Sequence, residues 1–345
     1  MESKGKNLKQ AVLWESAEDK KVRCKLCSHR CVIDEGKLGT CSVRQNIGGI
    51  LYSLTFDKVC SANPDPIEKK PLFHFQPGTS SFSIATMGCN FRCEFCQNWQ
   101  MSQSAIEDGR ISGQPISPEK IVEAAIRDGC KSIAYTYTEP TVFMELCAEC
   151  GRLAKEKGLT NVFVTNGYQT TEAIDFAAEW LDGINVDLKS FSEDYYKRLC
   201  KARLQPVLDT INYIAKQTDI WLEVTTLLIP NENDSDEELK KLADFIVTKA
   251  GPDVPWHISR FIPQYKYLDS VPTPIESLEH AGRIGKEAGL HYIYLGNVPG
   301  SKYESTFCYN CGRMLIERVG YRIVSNVIKD SCCPDCGTKI AGYEL

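Results

Sequence analysis

The sequence predicts an α/β fold with a small cysteine-rich appendage at each end, and three observations carry the prediction. Short apolar, β-rich runs alternate with amphipathic stretches through the middle of the 345 residues, the pattern of repeated βα units on a parallel sheet. Cysteines crowd both ends in pairs with two or three residues between them. A third thiol group, Cys89-x3-Cys93-x2-Cys96, follows directly on the first of the central runs.

Taken in order, the strands are expected at Phe82–Ala85, Ser132–Tyr137, Asn161–Thr165, Ile184–Leu188, Trp221–Ile229, Trp256–Ile262 and Tyr292–Leu295. Between them lie helices with readable ends. Ser117-Pro118-Glu119 supplies an N-cap, a proline at the first helical position and an acid in the first turn, and Gly129 marks the stop. Thr273-Pro274-Ile275-Glu276 repeats that start, with Gly289 at the far end. A further helix is expected from about Thr141 to Lys157; Cys147 and Cys150, three apart on one face of it, read as core fillers. The length suits one large domain with appendages: a cysteine-rich segment and lead-in over 1–79, the βα repeat over 80–300 and a terminal module over 301–345.

Composition narrows the function. A net charge of −5 argues against general binding to a phosphate backbone, so nucleic acid is an unlikely partner. No apolar run is long enough to span a bilayer, and Met1-Glu2-Ser3-Lys4-Gly5-Lys6 has no apolar core behind its charges, which argues against a secretory signal. Seventeen cysteines in a long chain of this kind point to metal binding in a reducing cytoplasm rather than to disulfides.

Each thiol group then has its own chemistry. Cys89, Cys93 and Cys96 on a strand-to-helix loop are ligands for three irons of a [4Fe-4S] cube, leaving one iron open; zinc is the alternative. Cys308-x2-Cys311 and Cys333-x2-Cys336, each followed by glycine, are paired knuckles of a zinc ribbon, a four-thiolate site with no open position; Cys332 stands outside it. Cys24, Cys27, Cys31 and Cys41 form a third set, with zinc the first choice and a second iron–sulfur cluster the alternative.

In parallel βα architectures ligands bind beyond the carboxyl ends of the strands. Asp187 and Lys189, two apart on a strand, point to the same side. Glu223 and Thr225 put a polar face on the fifth strand, so that Glu223 either lines a polar cavity or belongs to an ion pair within the fold. His257, on the sixth strand, is either a ligand-side residue or a hydrogen-bonded core histidine.

The run Cys89-x3-Cys93-Glu94-Phe95-Cys96 after a first strand resembles the signature of the radical S-adenosylmethionine (SAM) superfamily. That resemblance implies an incomplete (β/α)6 barrel. It also implies that SAM chelates the open iron and is reductively cleaved to methionine and a 5′-deoxyadenosyl radical that abstracts hydrogen from a substrate. Phe95 takes the aromatic place near the adenine. Thr136-Tyr137-Thr138-Glu139-Pro140 resembles the Gly-Gly-Glu-Pro element of activating enzymes in this superfamily, which puts Thr138, Glu139 and Pro140 by the SAM amino group; Glu139 alone also reads as a helix N-terminal acid. Thr165-Asn166-Gly167 and Asp187-x-Lys189 are similar to elements that face SAM in pyruvate formate-lyase activating enzyme and its relatives, although Val164 stands where an aspartate is common. Related enzymes also place a histidine near SAM from the sixth strand, the position of His257.

The order of motifs, including Pro66-Ile67-Glu68-Lys69-Lys70-Pro71-Leu72-Phe73-His74-Phe75 and Cys96-Gln97-Asn98-Trp99, resembles the radical SAM member of the AmmeMemoRadiSam set over nearly the whole chain. It implies a flavodoxin- or ferredoxin-type reductant and protein partners from that set, and leaves the substrate open. Lys70 and His74 are weaker candidates for covering the site or meeting substrate. The other class to weigh is a metal-rich electron-transfer or partner-binding protein without SAM chemistry.

Overall fold

Seven βα-type strands lie within two residues of their expected bounds in the computed structural model, which describes residues 8 to 345. The Met1–Lys6 reading lies outside the described residues. The strands are β1 (Ser80–Thr86), β2 (Ser132–Tyr135), β3 (Thr160–Thr165), β4 (Gly183–Asp187), β5 (Trp221–Leu228), β6 (Trp256–Arg260) and β7 (Ile293–Gly296). The connecting helices are α1 (Pro118–Arg127), α2 (Met144–Glu156), α3 (Thr171–Ala178), α4 (Gln205–Gln217), α5 (Asp236–Phe245) and α6 (Ile275–Glu287). With Val59–Pro66 these strands make an eight-stranded sheet, and six βα repeats closed by a seventh strand match the expected fold class.

The chain divides into two compact units, one of residues 1–64, 82–92 and 98–181, the other of 65–81, 93–97 and 182–345. In the first, β2 and β3 run parallel with Ser132 opposite Thr160. α1 starts as its sequence requires, Ser117 accepting a hydrogen bond from Lys120 N, and Gly129 follows its end at φ +69°. Tyr135, Phe163 and Trp180 pack edge to face between strands and helices. α2 carries Gly151 because a Cβ there would stand 2.4 Å from the Trp180 ring. Cys147 and Cys150 are buried in α2, the core role their spacing suggested. Near the N-terminus, Arg44–Ile47, Ile50–Ser53 and Lys9–Gln10 form one small antiparallel sheet, and Trp14–Ser16, Val22–Cys24 and Val32–Ile33 another.

In the second unit β4 to β7 are parallel neighbours in sequence order. One helix start differs from expectation. Thr273 does not cap α6; its hydroxyl accepts from Phe261 N (3.0 Å) and donates to Leu228 O (2.5 Å), tying the ends of β5 and β6 together. Beyond β7 lies a three-stranded antiparallel ribbon, Thr306–Phe307, Met314–Val319 and Arg322–Asn326.

Candidate functional site

In the first unit the carboxyl ends of β1, β2 and β3 bring together residues that lie far apart in sequence. Glu139, 2 % exposed, accepts hydrogen bonds from Thr141 N (3.1 Å), Thr141 Oγ1 (2.5 Å) and Thr165 Oγ1 (2.7 Å) on one oxygen and from Asn166 N (2.9 Å) on the other. Burial raises its pKa, and these four donors work against that rise. Asn166 in turn donates to Asn90 Oδ1 at 2.7 Å and has its Nδ2 3.8 Å from Cys89 Sγ. The Glu139 and Thr-Asn-Gly elements are therefore one hydrogen-bonded assembly standing behind Cys89. Thr138 donates to Thr86 O at the end of β1 (2.8 Å), and Pro140 opens a short 3₁₀ turn for which Glu139 is the N-cap, so the helix-start reading of Glu139 also holds. Tyr137 sits at φ +66°, a left-handed conformation that suits glycine; its carbonyl accepts from Asn98 Nδ2.

The second unit holds Cys93, Cys96, Phe95, Asp187 and Lys189. Lys189 Nζ donates to Asp187 Oδ2 at 2.8 Å, and its backbone N–H donates to Tyr196 Oη. Burial lowers the Lys189 pKa, but Asp187 and the sulfurs of Cys93 and Cys200 outweigh it, so the ammonium is held charged. Cys93 is buried against Cys200, which raises its pKa, with Lys189 pulling the other way. Cys200 ends the helical turn Tyr196–Cys200, and sequence reading missed it because nothing in an isolated cysteine signals a neighbour a hundred residues away. Phe95 packs against Tyr195 with ring centroids 5.9 Å apart.

Glu223 is held by hydrogen-bond donors within its own unit. Its carboxylate is fully buried and accepts from Phe73 N (3.0 Å), His74 N (2.8 Å), Trp221 Nε1 (3.0 Å) and His257 Nε2 (2.6 Å). Burial raises its pKa, yet His257, His74 and the Trp221 N–H together carry it below the usual carboxylate value. Glu223 and His257 thus anchor the segment Phe73–His74. Thr225, which pairs in register with Asp187 and His257, keeps a buried hydroxyl with no hydrogen-bond partner. Asn90 Nδ2 is likewise buried and unpartnered. Each is an open polar group within its own unit, the kind of group that calls for a partner. Burial lowers the Lys70 pKa to about 8 while its hydrogen bond to Asp65 (2.7 Å) works against that fall, and His74 is likewise fully buried.

The cysteine modules differ in geometry. At the C-terminus the sulfurs of Cys308, Cys311, Cys333 and Cys336 lie within 4.8 Å of one another, with Cys308–Cys336 at 3.7 Å and Cys311–Cys333 at 3.6 Å. Gly312 N and Gly337 N close each knuckle onto the carbonyls of Cys308 and Cys333. At the N-terminus Cys24, Cys27, Cys31 and Cys41 all line one cavity, together with Leu26, Ile33 and Arg44. Burial raises the Cys27 thiol's pKa, and its neighbours Cys24, Cys41 and Cys31 raise it further.

Residues 83–245 match the Radical SAM superfamily. The chain is 46 % identical to an uncharacterized protein of Methanocaldococcus jannaschii over 96 % of its own length and 99 % of that protein's. It is 28 % identical to a putative glycyl-radical enzyme activating enzyme of the same organism, over 62 % of this chain and 79 % of the relative. Among solved structures, a radical SAM methyltransferase from Sphaerobacter thermophilus superposes with a TM-score of 0.52 at 16 % identity, over 70 % of this chain and 71 % of that one, a likeness of fold.

Proposed function

Because the chain belongs to the radical SAM superfamily, we propose that Cys89, Cys93 and Cys96 hold a [4Fe-4S] cluster whose remaining iron binds SAM. When bound, the cluster and SAM supply reductive cleavage of the sulfonium and a 5′-deoxyadenosyl radical that abstracts hydrogen from a substrate. The observation that carries the reading is the assembly behind Cys89: a Cys-x3-Cys-x2-Cys loop on β1 backed by Asn166 and a buried, four-times hydrogen-bonded Glu139.

The chain's own residues have separable tasks. Glu139 fixes the Thr165–Asn166 turn and, with Thr138 and Pro140, shapes the edge that receives the SAM amino group. Lys189, held charged by Asp187, meets the carboxylate of SAM. Phe95 offers an apolar face to the adenine, and Thr225 an unsatisfied hydroxyl. The C-terminal quartet holds a structural zinc: a Zn–S bond of about 2.3 Å sets tetrahedral thiolates roughly 3.8 Å apart, which its 3.6 and 3.7 Å separations match. The modules are then a metal-binding lead-in over 1–79, the SAM barrel over 80–300 and the zinc ribbon over 301–345. A low-potential electron carrier of the flavodoxin or ferredoxin type reduces the enzyme in the cytoplasm, and the motif order supports partners from the AmmeMemoRadiSam set. The hydrogen donor is a protein or a small molecule.

The test is anaerobic reconstitution, reduction with dithionite and assay of 5′-deoxyadenosine. Wild type is expected to release it from SAM and Cys93→Ala to release none. A fully reconstituted, reduced wild type that leaves SAM intact defeats the reading, as does a reduced cluster whose spectrum is unmoved by SAM.

A further inference from the structure

We propose that Cys24, Cys27, Cys31 and Cys41 hold a second [4Fe-4S] cluster, closed by four thiolates and placed to pass electrons to the Cys89 loop. The existence of this cluster stands on its own geometry; the direction of electron flow rests on the reading of Cys89, Cys93 and Cys96 given above.

The spacing of the sulfurs separates zinc from a cluster. One zinc draws its thiolates to roughly 3.8 Å, whereas a cube of four irons and four sulfides holds its terminal thiolates much farther apart at its corners. Among the described residues, the C-terminal quartet is the only group of three or more such ligands gathered within 4.8 Å. No three of the N-terminal sulfurs close to that span, yet all four face one cavity. That cavity measures ≈ 20 Å³. Zinc, the first choice from sequence, therefore fits this quartet less well than the cluster does.

The walls suit a buried anionic cluster. Leu26, Ile33 and Val142 exclude water, and Cys24 and Cys41 are 6 % and 7 % exposed. Arg44, 2 % exposed, also lines the cavity; its two terminal nitrogens donate to Glu145 (3.0 and 2.8 Å), and its Nε is buried with no hydrogen-bond partner. The backbone N–H of Thr40 donates to Cys31 Sγ at 3.5 Å. With four cysteines present no iron is left open, so this centre carries electrons and binds no SAM.

Its position couples it to the Cys89 loop within the first unit. His29 Nε2 hydrogen-bonds Asn90 O at 2.8 Å. Arg92 donates to both Cys89 O (3.1 Å) and Thr40 O, and Thr40 Oγ1 is 3.2 Å from Cys31 Sγ. Gly88 lies so close that a Cβ would stand 2.6 Å from Val43 and 3.3 Å from Cys41 O. One electron from a low-potential carrier protein takes the N-terminal cluster from the 2+ to the 1+ state. The same electron then passes to the SAM-binding cluster, which returns the N-terminal one to 2+ with no bond or proton change.

The experiment uses the full chain reconstituted anaerobically. A Cys89→Ala/Cys93→Ala/Cys96→Ala variant should retain about four irons and, when reduced, a paramagnetic signal indifferent to SAM. No cluster iron in this variant, with about two zincs per chain in its place, overturns the proposal. A Cys27→Ser/Cys41→Ser variant should keep the SAM-responsive signal under dithionite and lose its rapid reduction by a flavodoxin-type carrier; unchanged reduction overturns the relay. If that variant does not fold, wild type decides: two reduced signals, only one shifted by SAM, support the proposal, and a single signal overturns it. Failure of the SAM reading instead shows as a wild type with both clusters and neither responsive to SAM.

Discussion

His74 shows how completely one side chain's state is fixed by its neighbours. Its Nδ1 lies 2.6 Å from Ala341 O, and a carbonyl only accepts, so Nδ1 carries the proton. Nε2 must then accept from Tyr294 Oη at 2.6 Å; Tyr294 accepts from Thr306 Oγ1, and Thr306 from Arg318. Every donor in this buried chain points one way, and a second proton on His74 has nowhere to go. Desolvation accordingly lowers its pKa from 6.5 to about 4. A base whose native pKa is depressed binds more protons unfolded than folded across that window, so stability is flat above about pH 6.5 and falls as the pH drops toward 4. The loss from this group is roughly 3 kcal/mol at 1.36 kcal/mol per unit. Urea titrations should show that decline in wild type and a shallower one in His74→Gln; equal slopes would remove His74 as its source. Glu139 makes the opposite case, a carboxylate whose value lies in what it accepts. Glu139→Ala leaves the buried hydroxyl donors of Thr141 and Thr165 and the Asn166 amide without an acceptor, at about 1–3 kcal/mol each. Denaturation should register a loss of several kcal/mol and SAM binding should weaken, with Glu139→Gln intermediate; an unchanged midpoint for the alanine variant contradicts the assembly. Glu139 and Asn166 were legible in sequence because each sits in a short motif at a strand end. Two of the four partners of Glu223 were not, since they are backbone amides about 150 residues earlier and amides leave no sequence signal.

At the scale of elements, strand positions were the most readable feature, because apolar runs between turn residues have few other places to go in an α/β chain. Helix starts were readable where the capping residue is local, as at Ser117, and misread where a side chain of the right type has a tertiary use, as at Thr273. The loop after β1 combines both kinds of constraint. Gly88 has φ +106°, which an L side chain rarely adopts, and no room for a Cβ against Val43 and Cys41. Gly88→Ala is therefore expected to displace the Cys89 loop, lowering iron content and 5′-deoxyadenosine release together. Gly109→Ala controls for backbone strain alone: its φ is +64° and nothing lies within 4 Å of the added Cβ. Equal iron content in the two variants would show that the contact with Val43 and Cys41 has no influence on the loop.

On the scale of the whole molecule, the C-terminal ribbon reads in sequence as a separate appendage, and its packing argues otherwise. Leu315, Ile316 and Ile340 of the ribbon share one buried cluster with Cys308 and Cys333, with Tyr292 and Tyr294 beside and on β7, and with Phe73 of the lead-in. Arg318 extends the tie: it donates to Phe73 O at 2.7 Å, and its guanidinium carbon stands 4.5 Å from the centroid of the Phe73 ring. The zinc proposed for these four thiolates would do more than hold a loop closed, since Cys308 and Cys333 are themselves part of the core. Removing it should loosen the cluster as a unit. Hydrogen exchange before and after treatment with a zinc chelator is the direct measure. Protection is expected to fall at Tyr292–Gly296 and at Phe73–Phe75 as well as within 301–345, and the thermal midpoint to drop with it. Loss of protection confined to 301–345 would instead make the ribbon an independent module, as its sequence alone suggests. The same experiment bears on catalysis, because the segment that enters this core also delivers Phe73 N and His74 N to Glu223. If metal loss frees that segment, Glu223 loses two of its four hydrogen-bond donors, and the polar interior of the second unit is disturbed at β5 and β6 from the far side of this core.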